Sequence, residues 1–196
     1  MSFTVTNFKS ALAKAGGGAR PALYEISLAH SKDTTLSLST DESILVKAAS
    51  IPPANIAPLA VNYHGRAYKW TGFRTFDNWT TTIINDESFS IRNKISEWMR
   101  AISGQMDGKR SSLHGSPVSS GLQAAWWEGT ATVKQLTTDG NTAQSYKFHN
   151  LWPTELAEIA VDWSSDIIQE YTVTWCYDYW SHGTGSDTTN IVAATA

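Results

Sequence analysis

The sequence predicts a mainly β protein with a single domain. Only 17% of its 196 residues are charged, against about a quarter in an average soluble protein, whereas Ser, Thr and Gly are plentiful. Within residues 170–180, mainly aromatic side chains alternate with polar, partly hydroxylated ones with a period of two, which is typical of a strand with two different faces. A convincing helical period is found in one segment, residues 91–102.

The N-terminal part predicts an arm followed by a strand. Residues 1–18 are expected to form a flexible arm, because three successive glycines make a joint at its end. Residues 22–30 follow with alternating apolar side chains, which predicts a first strand. A second apolar run covers residues 43–50.

Residues 45–73 form a long connecting arm or loop without a clear period, and three prolines lie between residues 51 and 73. More than about twenty residues without predicted secondary structure are unusual in a compact domain unless the segment has a function. We expect an extended arm or a hairpin that packs against another surface, either a neighbouring molecule or its own subunit.

A β-branched strand at residues 74–85 leads into a helix at residues 86–102. The helix can begin at Asp86 or Ser88, which are favourable N-cap residues. Its apolar stripe consists of Ile91, Ile95, Trp98, Met99 and Ile102. The side chains that face away from this stripe are Phe89, Asn93, Ser96, Glu97 and Arg100.

The following segment predicts a polar loop and a hairpin. Residues 103–121 are rich in Gly and Ser and are expected to form a loop. Strands at residues 129–138 and 143–150 are joined through a Thr-Asp-Gly-Asn sequence, which is a hairpin signal. Residues 151–163 fit two structures. A helical face would carry Leu156, Ile159, Ala160 and Trp163, and a strand face would carry Ile159, Val161 and Trp163.

One long strand is predicted near the C-terminus. Residues 168–179 would extend about 40 Å at about 3.3 Å per residue, twice the length of an ordinary strand. One face would carry Tyr171, Val173, Trp175, Tyr177 and Tyr179. The other face would carry Thr172, Thr174, Cys176 and Asp178. Residues 181–196 are expected to form a polar tail.

The composition argues against several functions. The net charge of −3 provides no basic surplus for tight nucleic-acid binding. The five histidines have no metal-ligand spacing, and no Gly-x-Ser-x-Gly elbow is present. A helix could gather Glu155, Glu158 and Asp162 into a paired-carboxylate site, but solvated acids are the preferred interpretation. No catalytic, cofactor-binding or metal-binding residue is therefore predicted.

Nine tryptophans raise the alternative of a carbohydrate-binding module with a stacking platform. The periodic patterns instead place five of them in the core or at strand ends: Trp79, Trp98, Trp163, Trp175 and Trp180. The chain has one cysteine, no recognisable secretory signal and no apolar run of about 20 residues. We expect a soluble protein made in a cytoplasm.

Three blocks of sequence carry motifs that are specific to one protein family. The first is Arg-Thr-Phe-Asp-x-Trp at 74–79, followed by Asn-Asp-Glu before the predicted helix. The second is Leu-Trp-Pro-Thr at 151–154, and the third is the closing Asp-Tyr-Trp at 178–180. Together with Ala-Arg-Pro-Ala-Leu-Tyr-Glu-Ile at 19–26, these blocks resemble the tail tube protein of contractile-tailed bacteriophages, and the resemblance covers residues 19–180 in collinear order. Residues 103–128 and the tail after Trp180 appear as additions to the family pattern.

This resemblance implies two antiparallel sheets packed nearly orthogonally as a barrel-like sandwich, with one flanking α-helix. It favours a strand over a helix at residues 156–163. It also implies hexameric rings that stack into a hollow tube in the virion tail, without enzymatic activity or cofactor. The implied partners are the tail sheath, a tape-measure protein, the baseplate, tail-terminator proteins and the genome DNA, which passes through the lumen without specific binding. No membrane is involved. The same fold would also suit the tube of a bacteriocin or of a secretion-type injection system.

The resemblance, together with the strand pattern, suggests roles for individual residues. Contacts between rings are expected from Arg66, Tyr68, Lys69 and Trp70. The lumen is expected to be lined by Thr172, Thr174 and Asp178. The sheath is expected to face Phe89, Asn93, Glu97 and Arg100. The core is expected to contain Ile91, Ile95, Trp98, Trp163, Trp175 and Tyr177.

Overall fold

A computed structural model describes residues 4–14, 16–31, 33–104, 128–164 and 166–183. The strands are β1 Tyr24–His30, β2 Val46–Ala49, β3 Asn55–Tyr63, β4 Arg66–Thr75, β5 Trp79–Ile84, β6 Gly129–Leu136, β7 Thr142–Leu156, β8 Glu170–Cys176 and β9 Tyr179–Gly183. The helices are α1 Val5–Lys14, α2 Thr40–Ile44 and α3 Ser90–Ile102, with a 3₁₀ turn at Thr34–Leu36. Most of the predicted polar loop and of the predicted tail, residues 105–121 and 184–196, lie outside the described residues. Residues 181–183 belong to β9 rather than to a tail.

The strands form two antiparallel sheets that share β7. In the first sheet the order is β1, β6, the first half of β7, and β9. In the second sheet the order is the second half of β7, β8, β5 and β2. The predicted mainly β sandwich is confirmed, although it does not close into a barrel, because β1 and β2 end the strand path.

Strand β7 passes from the first sheet to the second at a corner formed by Asn150. Asn150 has a positive φ of 56°, and β7 pairs with β9 before it and with β8 after it. The side-chain amide of Asn150 donates to the carboxylate of Asp178 at 2.6 Å, and the Asp178 amide donates to the His149 carbonyl at 3.2 Å. The predicted 168–179 strand is divided at this corner: β8 ends at Cys176, and β9 begins at Tyr179. Among the described strands, β7 is the longest, with 15 residues.

This corner also changes the predicted aromatic face. Tyr171, Val173, Trp175 and Tyr177 are buried between the sheets. Tyr179 lies beyond the corner, is exposed, and stacks on His149 with ring centroids 4.5 Å apart. The prediction of one continuous core face is therefore wrong at Tyr179, because the strand changes sheets before reaching it.

The core is built around four large aromatic side chains. Trp79 stacks on Phe148 at 4.5 Å, and Trp98 packs 5.7 Å from Trp175. The apolar stripe of α3 brings Ile91, Ile95 and Trp98 into this core.

Helix α3 begins four residues later than predicted. Phe89 precedes it in the left-handed conformation with a φ of 54°, which ends any helix upstream. The carboxylate of Asp86 nevertheless accepts the backbone N–H of Ser90 at 3.1 Å, which satisfies one of the free donors of the first turn.

Residues 157–163 form neither the predicted strand nor a helix. The backbone N–H of Ala157 still donates to the carbonyl of Thr172 in β8, as it would in a pair of strands. Because β8 begins at Glu170, only two residues of β8 precede Thr172, and the residues after Ala157 soon have no residue of β8 to pair with. Trp163, predicted in the core, is fully exposed at 103% of its reference area. That prediction is wrong because the alternating pattern continues after strand pairing has ended.

The predicted N-terminal arm contains a helix. Helix α1 has no buried residue, and its exposed apolar side chains are Val5, Phe8 and Leu12. These positions share one helical face.

Gly129 in β6 lies directly beneath Trp98. A Cβ at this position would come within 2.5 Å of the Trp98 ring and 2.7 Å of the Ala29 carbonyl oxygen. We expect Gly129→Ala to lower the free energy of unfolding by about 1–3 kcal/mol through overpacking. Urea titration would measure this, with Gly183→Ala as the control because nothing lies within 4 Å of that site. Equal stability of the two variants would contradict the expectation.

Candidate assembly surfaces

Strands β3 and β4 form a separate two-stranded hairpin, residues 55–75. It is attached near its base, where the Trp180 indole donates to the Pro53 carbonyl at 3.1 Å and the Trp79 indole donates to the Ser50 carbonyl at 2.8 Å. Nearly all of its residues are exposed. A two-stranded hairpin is at best marginally stable in water, so this one needs another surface to pack on.

One face of the hairpin is apolar. Leu59 pairs with Trp70 and Val61 pairs with Tyr68, and side chains of such pairs project to the same side. The apolar face consists of Leu59, Val61, Tyr63, Tyr68 and Trp70. Of the residues predicted to contact another ring, Arg66, Tyr68 and Trp70 share this face. Lys69 lies on the opposite one.

Local geometry makes the hairpin tight. His64 and Gly65 occupy its two-residue turn with positive φ angles of 49° and 73°, as a type I′ turn requires. At Gly72 a Cβ would lie 2.3 Å from the Ala57 carbonyl oxygen, so the two strands can approach only because this residue is glycine.

The outer face of the second sheet is rich in threonine. Thr80 pairs with Thr174, and Thr82 pairs with Thr172. Glu155 also lies opposite Thr174. Thr172 is exposed and Thr174 half-buried, whereas the predicted third member, Asp178, lies at the corner rather than on β8. Among the strands of this sheet, all of which the structure describes, β2 contributes the one basic residue, Lys47. It is paired with Glu170 at 2.5 Å.

The outer face of α3 carries the residues predicted to face a sheath. Asn93, Glu97 and Arg100 are exposed, and the last two form an ion pair. Phe89 is 40% exposed beside the start of the helix.

Strands β1 and β2, which lie at the two ends of the strand path, approach each other without forming a strand pair. The Tyr24 hydroxyl donates to the Val46 carbonyl at 2.9 Å, and burial raises the pKa of this tyrosine. The Leu38 amide covers part of the β1 edge by donating to the Leu28 carbonyl at 3.0 Å. A groove of about 390 Å³ lies between β1 and the α2–β2 segment.

A further exposed surface lies in residues 157–169, described except for residue 165. Four large apolar side chains protrude from it: Val161, Trp163, Ile167 and Ile168. The sequence analysis missed this surface because the same side chains fit a core pattern. The signal that could have found it is the density of acidic residues between them.

Among the described residues, exposed tryptophans do not come together into a sugar-stacking platform. Trp79, Trp98 and Trp175 are buried, while the exposed Trp70 and Trp163 lie on separate segments. Within the described ranges, no group of three or more His, Cys, Asp and Glu residues is arranged to hold a metal ion. None of the helices that the structure describes is long and apolar enough to cross a membrane.

Comparison with known proteins identifies the family. A model of the phage tail tube protein family matches residues 19–183. The chain belongs to this family. The tail tube protein gp19 of Enterobacteria phage T4 is 30% identical over 169 residues, which cover 85% of this chain and 93% of that protein. The tail tube protein of Serratia phage KSP90 is 22% identical over 178 residues, covering 88% and 92%.

Solved structures share the tail tube fold at low sequence identity. A chain of the anti-feeding prophage tube-terminating cap has a TM-score of 0.59 at 15% identity, covering 85% of this chain and 91% of its own. A chain of the sheath–tube complex of an extracellular contractile injection system has a TM-score of 0.52 at 12% identity, covering 93% and 99%. The family match and the similarity to gp19, rather than these structures, make this chain a structural component of the phage virion tail.

Proposed function

We propose that this tail tube protein forms hexameric rings that stack into the hollow tube of a contractile tail and conduct the genome during ejection. The observation that carries the proposal is the 55–75 hairpin. It projects from the sandwich with its apolar face exposed, and the path of described strands ends at the edge strands β1 and β2. Exposed apolar faces and open edges are surfaces that a protein normally covers by association.

Ring closure would use the sheet edges. A neighbouring subunit that adds its strands at β1 or β2 would satisfy the free backbone donors and acceptors there. The groove between β1 and the α2–β2 segment would accept part of that contact.

The lumen would be lined by the threonine face of the second sheet, including Thr172 and Thr174. Lysine and arginine bind phosphates by releasing counterions, so a conduit for DNA should present few free basic groups. The pairing of Lys47 with Glu170 supports this assignment. Asp178, at the corner, would lie at the margin of the face.

The outer surface would contact the sheath through Phe89, Asn93, Glu97 and Arg100. The tape-measure protein, baseplate and tail-terminator proteins would act as templates and ends of the tube. The fold occurs in a sheath–tube complex and in the cap and baseplate of other contractile systems, which supports the sheath, baseplate and terminator as partners.

Negative-stain electron microscopy of the purified chain at increasing concentrations tests the proposal. Rings or hollow tubes of uniform width are the expected result. Small single particles at every concentration, with a monomer mass by sedimentation, would count against self-assembly of this chain into a tube.

Removal of the hairpin is expected to abolish tubes while the subunit remains folded. Residues 55–75 would be replaced by a short Gly-Ser linker. Since these residues are exposed, the urea midpoint should hardly change. Sedimentation and microscopy should then find rings but no tubes. The control removes residues 4–14, and tubes from both variants would contradict a role for the hairpin in stacking.

A further inference from the structure

Two exposed apolar surfaces lie at opposite ends of the second sheet. The hairpin leaves the sheet at the end where Trp79 pairs with Trp175, since β2 ends there and Trp79 bonds to Ser50. Residues 157–169 enter the sheet at the other end, where Ile84 pairs with Glu170. The six residues of β5 separate these ends by about 17 Å at about 3.3 Å per residue.

The 157–169 loop is held firmly at both ends. Arg92 on α3 donates to the Ala157 carbonyl at 2.9 Å. Asn85 donates its backbone N–H to the Gln169 carbonyl at 2.9 Å and its side-chain amide to the Gln169 side chain at 3.1 Å. The part between these anchors exposes Val161, Trp163, Ile167 and Ile168. The loop therefore presents an apolar platform on a fixed base.

The two surfaces carry opposite charges. The hairpin contains Arg66, Lys69 and Arg74 and no acidic residue, a net charge of +3. The loop contains Glu158, Asp162 and Asp166 and no basic residue, a net charge of −3. All six side chains belong to exposed residues. Complementary charge of this kind selects and orients partners, while aromatic and arginine side chains supply most of the affinity of an interface.

We propose that the hairpin of one subunit docks on the 157–169 loop of a second copy of this chain. The contact is head to tail, because its two halves lie at opposite ends of one sheet. A head-to-tail contact that does not close on itself continues without limit, which is what a stack of rings needs. The inference rests on the proposed function and assigns the partner surface of the hairpin.

Helix α1 is the competing occupant of the loop. It carries Lys9 and Lys14 beside the exposed Val5, Phe8 and Leu12. The hairpin is preferred because its apolar face exposes three aromatic side chains, Tyr63, Tyr68 and Trp70, whereas α1 exposes one. A variant of α1 therefore belongs in the test.

Charge reversal on each surface separately provides the test. The hairpin variant carries Arg66→Glu, Lys69→Glu and Arg74→Glu, and the loop variant carries Glu158→Lys, Asp162→Lys and Asp166→Lys. Each variant alone brings like charges together, and we expect the critical concentration for tube formation to rise at least about tenfold. In an equal mixture every hairpin can meet an oppositely charged loop. Alternating rings should then restore tubes, measured by sedimentation and electron microscopy.

Lys9→Glu with Lys14→Glu in α1 is the matched control and should assemble like the wild type. The urea midpoint of each variant checks that the subunit is folded. The proposal is overturned if either surface variant assembles normally, if the mixture fails to recover, or if the α1 variant loses tubes instead. A wild-type chain that forms no assembly at any concentration would refute the proposed function itself, which separates the two failures.

Discussion

Replacing Trp175 by alanine is expected to lower the free energy of unfolding by about 3–5 kcal/mol. The Trp175 side chain is fully buried between the sheets and packs against both Trp79 and Trp98. Its indole also donates to the Thr81 hydroxyl at 2.9 Å, in a part of the core that is closed to solvent. The variant would lose packing and leave this hydroxyl without its donor, so both effects have the same sign.

The measurement is urea unfolding at neutral pH, followed by circular dichroism. The matched control is Trp163→Ala, which makes the same chemical change at a fully exposed site. We expect the control to stay within about 0.5 kcal/mol of the wild type. A Trp175→Ala variant as stable as the control would show that the core is not organised around this side chain.

Replacing Glu42 by glutamine is expected to remove about 3 kcal/mol of pH-dependent stability. Glu42 joins α2 to α3, because it accepts hydrogen bonds from Lys94 at 2.6 Å and from the Ser90 hydroxyl. It also completes a capping box with Ser39 at the start of α2. The Glu42 side chain is 14% exposed, so little solvent screens these contacts.

The direction of the pH effect follows from the pKa of Glu42. Burial alone would raise this pKa, but the hydrogen bonds from Lys94, Ser90 and Ser39 outweigh burial and lower it from 4.5 to about 2. A lowered pKa stabilises the fold above pH 4.5, and this contribution is lost as the pH falls from 4.5 towards about 2. A difference of this size between the pKa values of the unfolded and folded states corresponds to about 3 kcal/mol of stability.

Unfolding free energies between pH 6 and pH 3 would measure this contribution. The wild type should lose more stability than Glu42→Gln over this range. The control is Glu97→Gln on α3, whose exposed ion pair with Arg100 should contribute less than about 1 kcal/mol. Parallel curves for the wild type and Glu42→Gln would contradict the role of this network.

In the proposed tube, some parts of the chain stabilise the single subunit and others form contacts between subunits. The core aromatic cluster and the Glu42 network act within one subunit, so their variants should change the stability of the free chain. The hairpin and the 157–169 loop are exposed, so their variants should change assembly with little effect on that stability. Measurements of unfolding and of tube formation on the same variants can therefore separate the two roles.

Several elements could be predicted from the sequence because their signals are local. The period of the 91–102 stripe predicted which residues of α3 face inwards, and Ile91, Ile95 and Trp98 are buried. The Asp-Gly sequence between two strand patterns predicted the β6–β7 hairpin. The three prolines and the absence of a clear period in residues 51–73 predicted an extended arm or a hairpin, and a hairpin forms there.

Other features depend on pairing between distant strands. The apolar alternation does not stop at Leu156 or at Tyr177, so the sequence pattern gave no sign that either strand would end. Trp163 and Tyr179 were placed in the core for that reason, and both are exposed.

By itself, the sequence determined the β class, the family and the inward face of α3, because composition, motifs and helical period are properties of neighbouring residues. Only the tertiary structure decided the rest. It showed that β7 serves both sheets, and that the Asn150–Asp178 corner divides the C-terminal strand. It also brought the hairpin and the acidic loop to opposite ends of one sheet, which the register between β5 and β8 decides and no local pattern encodes.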